Sequence, residues 1–190
     1  TRSNIEGQIA TLTLDMPDKG ANILSSHVLN ELEEHLDNLE NDRDVKGLII
    51  SSGKPGTFIA GADLREFVAS LDADRADIVD LCRRGRLLFA RLHELPFVTV
   101  AAIDGICVGG GAELAIACDR RIVSDSSSTQ FGFPEVKLGL FPGWGGTVWT
   151  PRIVGLYNAV EMITGGESVD AEQAVKMGLA TESVSPEKLF

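Results

Sequence analysis

Residues 97–114 read FVTVAAIDGICVGGGAEL, and this stretch decides the fold. Its first seven residues form an apolar run of the kind found in parallel strands that are buried on both faces. The triplet Gly109-Gly110-Gly111 follows, and Glu113 then precedes a short apolar segment typical of a buried helix. A buried strand that leads into a helix through a glycine turn is the repeating unit of an α/β fold.

The same alternation of strands and helices extends along the rest of the chain. Period-two alternation predicts a strand at Ile9–Leu14, and leucines at helical spacing predict an amphipathic helix over residues 26–41. Three further predicted elements are a buried strand at residues 47–51, a helix from about residue 73 to 93 with Ile78, Leu81, Cys82, Leu88, Phe89 and Leu92 on one stripe, and a strand at Ile122-Val123. We therefore predict one α/β domain over residues 1–190 with parallel strand pairing.

The composition is that of a soluble protein with an acidic surface. Apolar residues make up 44% of the 190 residues, and no run approaches the ~20 apolar residues that span a bilayer. The N-terminus lacks the segments of a secretory signal, and the three cysteines form no disulfide or metal pattern, so we expect a cytoplasmic protein. A net charge of −11 disfavours nucleic-acid binding, which depends on clusters of Lys and Arg.

Two glycine-containing loops are the first candidates for a ligand site. One is Ile59-Ala60-Gly61-Ala62-Asp63, the other contains Gly109-Gly110-Gly111, and each leads from a predicted strand into a helix. Amides at a helix start have no intrahelical acceptor, so two such ends facing each other would form an oxyanion hole. The phosphate-loop motif GxxxxGK[ST] is absent, and Cys107 occupies the second glycine position of a GxGxxG motif. Tight packing of the glycines is the alternative that the sequence leaves open.

Two glutamates in apolar surroundings are candidates for acid–base chemistry. Glu113 is either a general base beside the oxyanion hole or a residue that complements the helix macrodipole. Glu135 lies among phenylalanines, glycines and prolines, where burial would raise its pKa and suit a proton donor. The alternative is that Glu135 faces solvent and opens a helix after Pro134.

Other reactive side chains have simpler interpretations. His27, His35 and His93 have no second ligand at metal-binding spacing, so we expect no metal site. Trp144, between two glycines, either contacts a ligand in the pocket wall or serves packing alone.

Several of these motifs together resemble the crotonase, or enoyl-CoA hydratase/isomerase, superfamily. The order and spacing match over about residues 5 to 185, and the resemblance is closest to the N-terminal module of the α-subunit of bacterial fatty-acid oxidation complexes. The motifs that carry it are Ile59-Ala60-Gly61-Ala62-Asp63, Gly109-Gly110-Gly111-Ala112-Glu113-Leu114-Ala115, Pro134-Glu135 with Leu138-Gly139, and Pro142-Gly143 with Gly145-Gly146-Thr147.

The resemblance implies a role for particular residues. It assigns the oxyanion hole to the N–H groups of Ala62 and Gly110, with Glu113 promoting the addition of water to C3 and Glu135 delivering a proton to C2. It also implies further substrate-binding residues: Ala60 and Asp63 toward the adenine half of coenzyme A, Gly143 at the water site, and Pro134. The implied reaction is hydration of 2-enoyl-CoA to 3-hydroxyacyl-CoA in β-oxidation, with no metal or redox cofactor and coenzyme A as part of the substrate.

The resemblance also carries expectations about architecture and partners. It implies a spiral of ββα turns, here ending before the family's C-terminal helical region, and self-association in a longer form with a possible thiolase subunit as partner. One departure is VWTPR at residues 148–152, where many members have QRLPR. Three alternatives remain: a 3-enoyl-CoA to 2-enoyl-CoA isomerase, an RNA-binding relative, and a scaffold without activity of its own.

Overall fold

The computed structural model describes residues 1–17, 19–69 and 74–189. Ten strands and seven α-helices alternate within these ranges. The strands are β1 Arg2–Glu6, β2 Ile9–Leu14, β3 Gly47–Ser52, β4 Thr57–Ile59, β5 Val98–Ile103, β6 Ile106–Val108, β7 Arg120–Ser124, β8 Gln130–Gly132, β9 Ser168–Val169 and β10 Glu182–Val184. The helices are α1 Ser26–Glu40, α2 Leu64–Ala69, α3 Arg75–Glu94, α4 Gly110–Ala117, α5 Gly146–Val154, α6 Leu156–Gly165 and α7 Ala171–Lys176, with 3₁₀ turns at Pro134–Leu138 and Pro186–Lys188.

The strands form two sheets. The larger has the order β1-β2-β3-β5-β7-β10, and only β1 is antiparallel to its neighbour. The smaller has the order β4-β6-β8-β9, with β4, β6 and β8 parallel. The predicted parallel pairing is therefore confirmed.

The predicted elements are confirmed in position, with one error in burial. Helix α1 begins after Ser25, whose hydroxyl accepts from Val28 N, and it buries the predicted leucines. Helix α3 ends near the predicted position, but the predicted start at Ala73 lies outside the described residues. Its predicted apolar stripe is buried only in the second half of the helix, and Cys82 is exposed. Helical spacing identifies a face of a helix, whereas the extent to which that face is covered depends on the neighbouring elements.

The smaller sheet determines where the candidate residues lie. The carboxyl ends of adjacent parallel strands lie side by side at one edge of a sheet. The segment after β4 contains Ala62, the segment after β6 contains Gly110, and the segment after β8 contains Glu135. The strand order therefore brings three segments that are distant in sequence to one edge.

No helix among the described residues is long and apolar enough to cross a lipid bilayer.

Candidate active site

Gly109 is the point where the three segments meet. A β-carbon built on Gly109 would lie 3.6 Å from Gly61 Cα and 3.3 Å from Oε1 of Glu135. Gly109 has a φ of 57° and Gly61 a φ of 101°, both in the region that favours glycine. The two glycine loops are therefore in contact, and the Glu135 carboxylate lies beside them.

The Ala62 N–H faces away from the strand-like segment that holds its loop. Leu24 N donates to Gly61 O at 2.8 Å, and Asp63 N donates to Leu24 O at 3.0 Å. Leu24 and Ala62 thus form a parallel β-bridge. Because Ala62 lies between the two residues that bond to Leu24, its own N–H points away from Leu24. No backbone acceptor for Ala62 N is found in the described part of the chain, so this N–H is available to a ligand.

The Gly110 N–H is available for a different reason. Gly110 is the first residue of α4, so its amide has no acceptor within the helix. The neighbouring Gly111 serves packing, because a β-carbon there would lie 2.5 Å from Ile59 O. Packing therefore requires glycine at position 111, and the unpaired N–H of Gly110 is compatible with a ligand site.

Glu113 lies in the first turn of α4, almost completely buried at 4% exposure. Its Oε1 accepts two backbone hydrogen bonds, from Trp144 N at 2.7 Å and Gly146 N at 2.8 Å. Burial raises the pKa of Glu113 to about 7, the charge of Glu135 adds to this, and the two N–H donors oppose it. A carboxyl group with that pKa exchanges protons near neutral pH.

Glu135 follows Pro134 in the 3₁₀ turn after β8 and is half-buried. Its Oε2 is shielded from solvent and has no hydrogen-bond partner among the described residues. Burial raises the pKa of this carboxyl group, in the direction expected from the sequence. A shielded oxygen without a partner, beside the two glycine loops, is positioned to exchange a proton with a bound molecule.

The other sequence-predicted residues surround this centre. Ala60 and Asp63 lie in the same loop as Ala62, where Ala60 N donates to Asn22 O and the Asp63 carboxylate accepts from Arg65 N at the start of α2. Gly143 is exposed and directly precedes Trp144, and Pro134 directly precedes Glu135. A β-carbon on Gly143 would lie 3.8 Å from Sγ of Cys82, so α3 lies across this loop.

Asn22 supports the Ala62 loop and was not identified from the sequence. It is fully buried, and its side chain makes hydrogen bonds to four groups on three neighbouring segments. Nδ2 of Asn22 donates to Leu14 O, Ser52 Oγ and Phe58 O, and Oδ1 accepts from Met16 N. A single asparagine in a polar turn gives no sequence signal for this role. Two of its partners, Leu14 and Met16, offer only backbone groups, and the other two, Ser52 and Phe58, are distant in sequence.

The histidines and cysteines do not form a second centre. No group of three or more His, Cys, Asp or Glu side chains that could hold a metal ion occurs among residues 1–17, 19–69 and 74–189. Cys107 and Cys118 are buried, as expected for small apolar side chains. His93 stacks on Trp149 with ring centroids 4.4 Å apart.

The family comparison matches nearly the whole chain. The family model described as enoyl-CoA hydratase/isomerase matches residues 4–190. The fatty acid oxidation complex subunit alpha of Aliivibrio fischeri is 44% identical over 178 residues, which are 93% of this chain and 26% of the relative. The same subunit of Idiomarina loihiensis is 44% identical over 93% of this chain and 25% of its own length. The chain thus spans about a quarter of the length of these curated relatives.

Solved structures agree with this result. The enoyl-CoA hydratase of Bacillus anthracis superposes with a TM-score of 0.89 at 30% identity, covering 99% of this chain and 71% of that one. DspI of Pseudomonas aeruginosa superposes with a TM-score of 0.88 at 36% identity, covering 97% of this chain and 72% of DspI. The fold class expected from the sequence motifs is therefore confirmed.

Proposed function

Because this chain belongs to the enoyl-CoA hydratase/isomerase family, we propose that it adds water across the 2,3-double bond of an enoyl-CoA thioester. The observation that carries the proposal is the joint approach of Glu135 and the Gly61 loop to Gly109. It brings the unpaired N–H groups of Ala62 and Gly110 and the carboxyl group of Glu135 to one edge of the smaller sheet, and Glu113 lies three residues after Gly110 in α4.

The two N–H groups act on the thioester oxygen. When a nucleophile adds to C3, negative charge moves from the double bond onto this oxygen and gives an enolate. The Ala62 and Gly110 N–H groups stabilise that charge without reorganising. The loss of one such donor costs about 2.7–4 kcal/mol of transition-state stabilisation in enzymes of this kind.

The two carboxyl groups move the protons. Ionised Glu113 takes a proton from water as the water oxygen bonds to C3, and protonated Glu135 gives its proton to C2 of the enolate. Overall, one O–H bond of water and the π bond between C2 and C3 break, one C–O and one C–H bond form, and there is no net oxidation or reduction. Proton transfer back from Glu113 to Glu135 through solvent restores both groups. Burial raises the pKa of both carboxyl groups, so both are able to exchange protons, and the reactive form is the one with the proton on Glu135 and Glu113 ionised.

The proposal requires no group other than the substrate. All four functional groups belong to the chain, and coenzyme A enters as part of the thioester. Binding this anionic molecule against a net charge of −11 requires local donors for its phosphate groups.

Incubation with 2-butenoyl-CoA tests the proposal directly. We expect the absorbance of the conjugated thioester to fall and the product to gain the mass of one water. A stable absorbance at high protein concentration, with the thioester bound, would refute hydration.

Isomerisation of 3-enoyl-CoA to 2-enoyl-CoA is a second candidate for the same site. The shielded Oε2 of Glu135 supports it, because a carboxylate without a protein partner can take a proton from C2 and return it to C4. With 3-enoyl-CoA, a rise in conjugated-thioester absorbance before any fall would show this activity.

We propose further that the module works within a larger assembly, because its relatives are named as subunits of a fatty acid oxidation complex. The resemblance to the crotonase superfamily implies a thiolase subunit as partner and, in a longer form of the chain, a second copy of itself. Size-exclusion chromatography with and without a thiolase subunit tests both, and independent elution as a monomer would contradict them.

A further inference from the structure

The Trp144 indole lies between α3 and α4, where two glycines make room for it. A β-carbon on Gly85 of α3 would lie 2.5 Å from Cδ1 of the indole, and one on Gly110 of α4 would lie 2.7 Å from Cζ3. The ring also meets Phe89 edge-on, with centroids 5.6 Å apart. Side chains in real structures do not approach so closely, so both positions require glycine for the indole to fit.

The indole is next to the reacting groups. Gly110 supplies one of the two N–H groups, and the backbone N–H of Trp144 itself holds Glu113. Gly110 and Glu113 are three residues apart in α4 and therefore share a face of the helix. The indole covers this face at Gly110, so an acyl chain that continues beyond C3 past Glu113 meets the aromatic ring.

The far side of the indole is apolar. Phe89 is buried on α3, and Leu24 lies beside Gly110, where its Cδ1 would be 3.3 Å from an added β-carbon. Trp144 as a whole is half-buried. Without the indole, the space between α3 and α4 would extend the site as an apolar cavity.

We propose that Trp144 sets the acyl-chain length that the site accepts, by closing the space between α3 and α4 to all but short chains. This inference rests on the proposed function and specifies its substrate class as short-chain 2-enoyl-CoA thioesters. The Trp144 indole acts through its volume. The backbone N–H of Trp144 donates to Glu113, and every substitution of Trp144 except proline keeps this donor.

The test compares kcat/KM for 2-decenoyl-CoA and 2-butenoyl-CoA in the wild type and in Trp144→Ala. We expect the ratio of kcat/KM for 2-decenoyl-CoA to kcat/KM for 2-butenoyl-CoA to rise about tenfold or more in the variant. Each methylene placed in an apolar pocket contributes about that factor. Trp149→Ala is the matched control, because that indole packs on His93 and Arg152 instead. Its ratio should stay at the wild-type value.

A second substitution refills the space. Gly85→Ala in the Trp144→Ala background places a methyl group where the indole was. We expect the kcat/KM ratio of 2-decenoyl-CoA to 2-butenoyl-CoA in this double variant to lie between the wild-type ratio and that of Trp144→Ala. If Trp144→Ala does not fold, Trp144→Leu keeps more of the volume and should give a smaller rise. An unchanged ratio in a folded Trp144 variant that hydrates 2-butenoyl-CoA would refute the inference.

Binding measurements separate this inference from the proposed function. If the wild type hydrates no member of the series, the proposed function fails. Calorimetric affinities for butyryl-CoA and decanoyl-CoA then decide the role of Trp144. A gain in decanoyl-CoA affinity confined to the Trp144 variant supports that role, and equal affinities in both proteins overturn it.

Discussion

The backbone N–H of Trp144 donates to Oε1 of Glu113 across 2.7 Å, although the two residues belong to different segments of the chain. Gly146 N donates to the same oxygen at 2.8 Å. Two donors on one oxygen fix the orientation of the carboxyl group. The loop before α5 thus positions a side chain of α4.

Replacement of Glu113 by Gln should abolish most of the hydration. The amide keeps an oxygen that accepts from the two N–H groups, but it takes no proton from water, so we expect kcat to fall by about 10²–10⁴. Affinity for a saturated acyl-CoA, measured by calorimetry, should change little. A variant with near-native turnover would show that Glu113 is not the base.

Replacement of Glu135 by Gln separates the two candidate reactions. Hydration needs Glu135 to give a proton to C2, and isomerisation needs it to take a proton from C2 and return it to C4, so we expect both rates to fall by about 10²–10⁴. Circular dichroism should be unchanged, because Oε2 makes no hydrogen bond to the described residues that the amide would lose. Loss of isomerisation with native hydration would assign Glu135 to isomerisation alone.

The pKa of Glu113 predicts the pH dependence of the reaction. A pKa of about 7 in the free protein means that the ionised base is depleted at lower pH. We therefore expect kcat/KM for 2-butenoyl-CoA to rise with pH with a midpoint near pH 7, and to fall again at higher pH where Glu135 loses the proton that it donates. Glu34→Gln, which changes an exposed carboxylate, is the control and should leave that midpoint in place. A midpoint near the ordinary pKa of 4.5 would contradict the assignment.

The same pKa predicts an effect on stability. The folded state holds the proton of Glu113 more tightly than the unfolded state, so this residue stabilises the fold at low pH. That contribution is lost as the pH rises from about 4.5 to about 7. Glu113→Gln has no titrating group at position 113. Relative to this variant, the free energy of unfolding of the wild type should therefore fall by on the order of 3 kcal/mol between pH 4 and pH 8. Urea unfolding of both proteins at the two pH values measures the difference, and a constant difference would argue against a raised pKa.

Much of the fold could be predicted from the sequence because five of the six strands in its larger sheet have five or six residues, long enough to show a pattern. Strands β2, β3 and β5 and helix α1 each show a period or an apolar run that local sequence reveals. The smaller sheet is different. Strands β4, β6 and β8 have three residues each, which is too few to show a period.

The convergence of the candidate site depends on those short strands. Their order places Ala62, Gly110 and Glu135 at one edge, and this order is a property of the whole fold. The residue types were recognisable from the motifs, whereas the support of Glu113 by Trp144 and Gly146 was not. Backbone donors have no sequence signature, because every residue except proline carries one.

Gly109→Ala tests whether the meeting of the loops matters for the reaction. Alanine is strained at a φ of 57°, and its β-carbon would lie 3.3 Å from Oε1 of Glu135. We expect a loss of about 1–3 kcal/mol in stability from the strain. We also expect a fall of about 10²-fold in kcat, because a displacement of about 1 Å in a catalytic group has that effect.

Gly7→Ala separates these two effects. Gly7 has a φ of 62°, and a β-carbon there would meet no atom within 4 Å, so its variant carries the strain without the contact. It should lose similar stability but keep its turnover number. If both variants lost stability and neither lost activity, contact at Gly109 would not be required for catalysis, and Glu135 would tolerate displacement from the glycine loops.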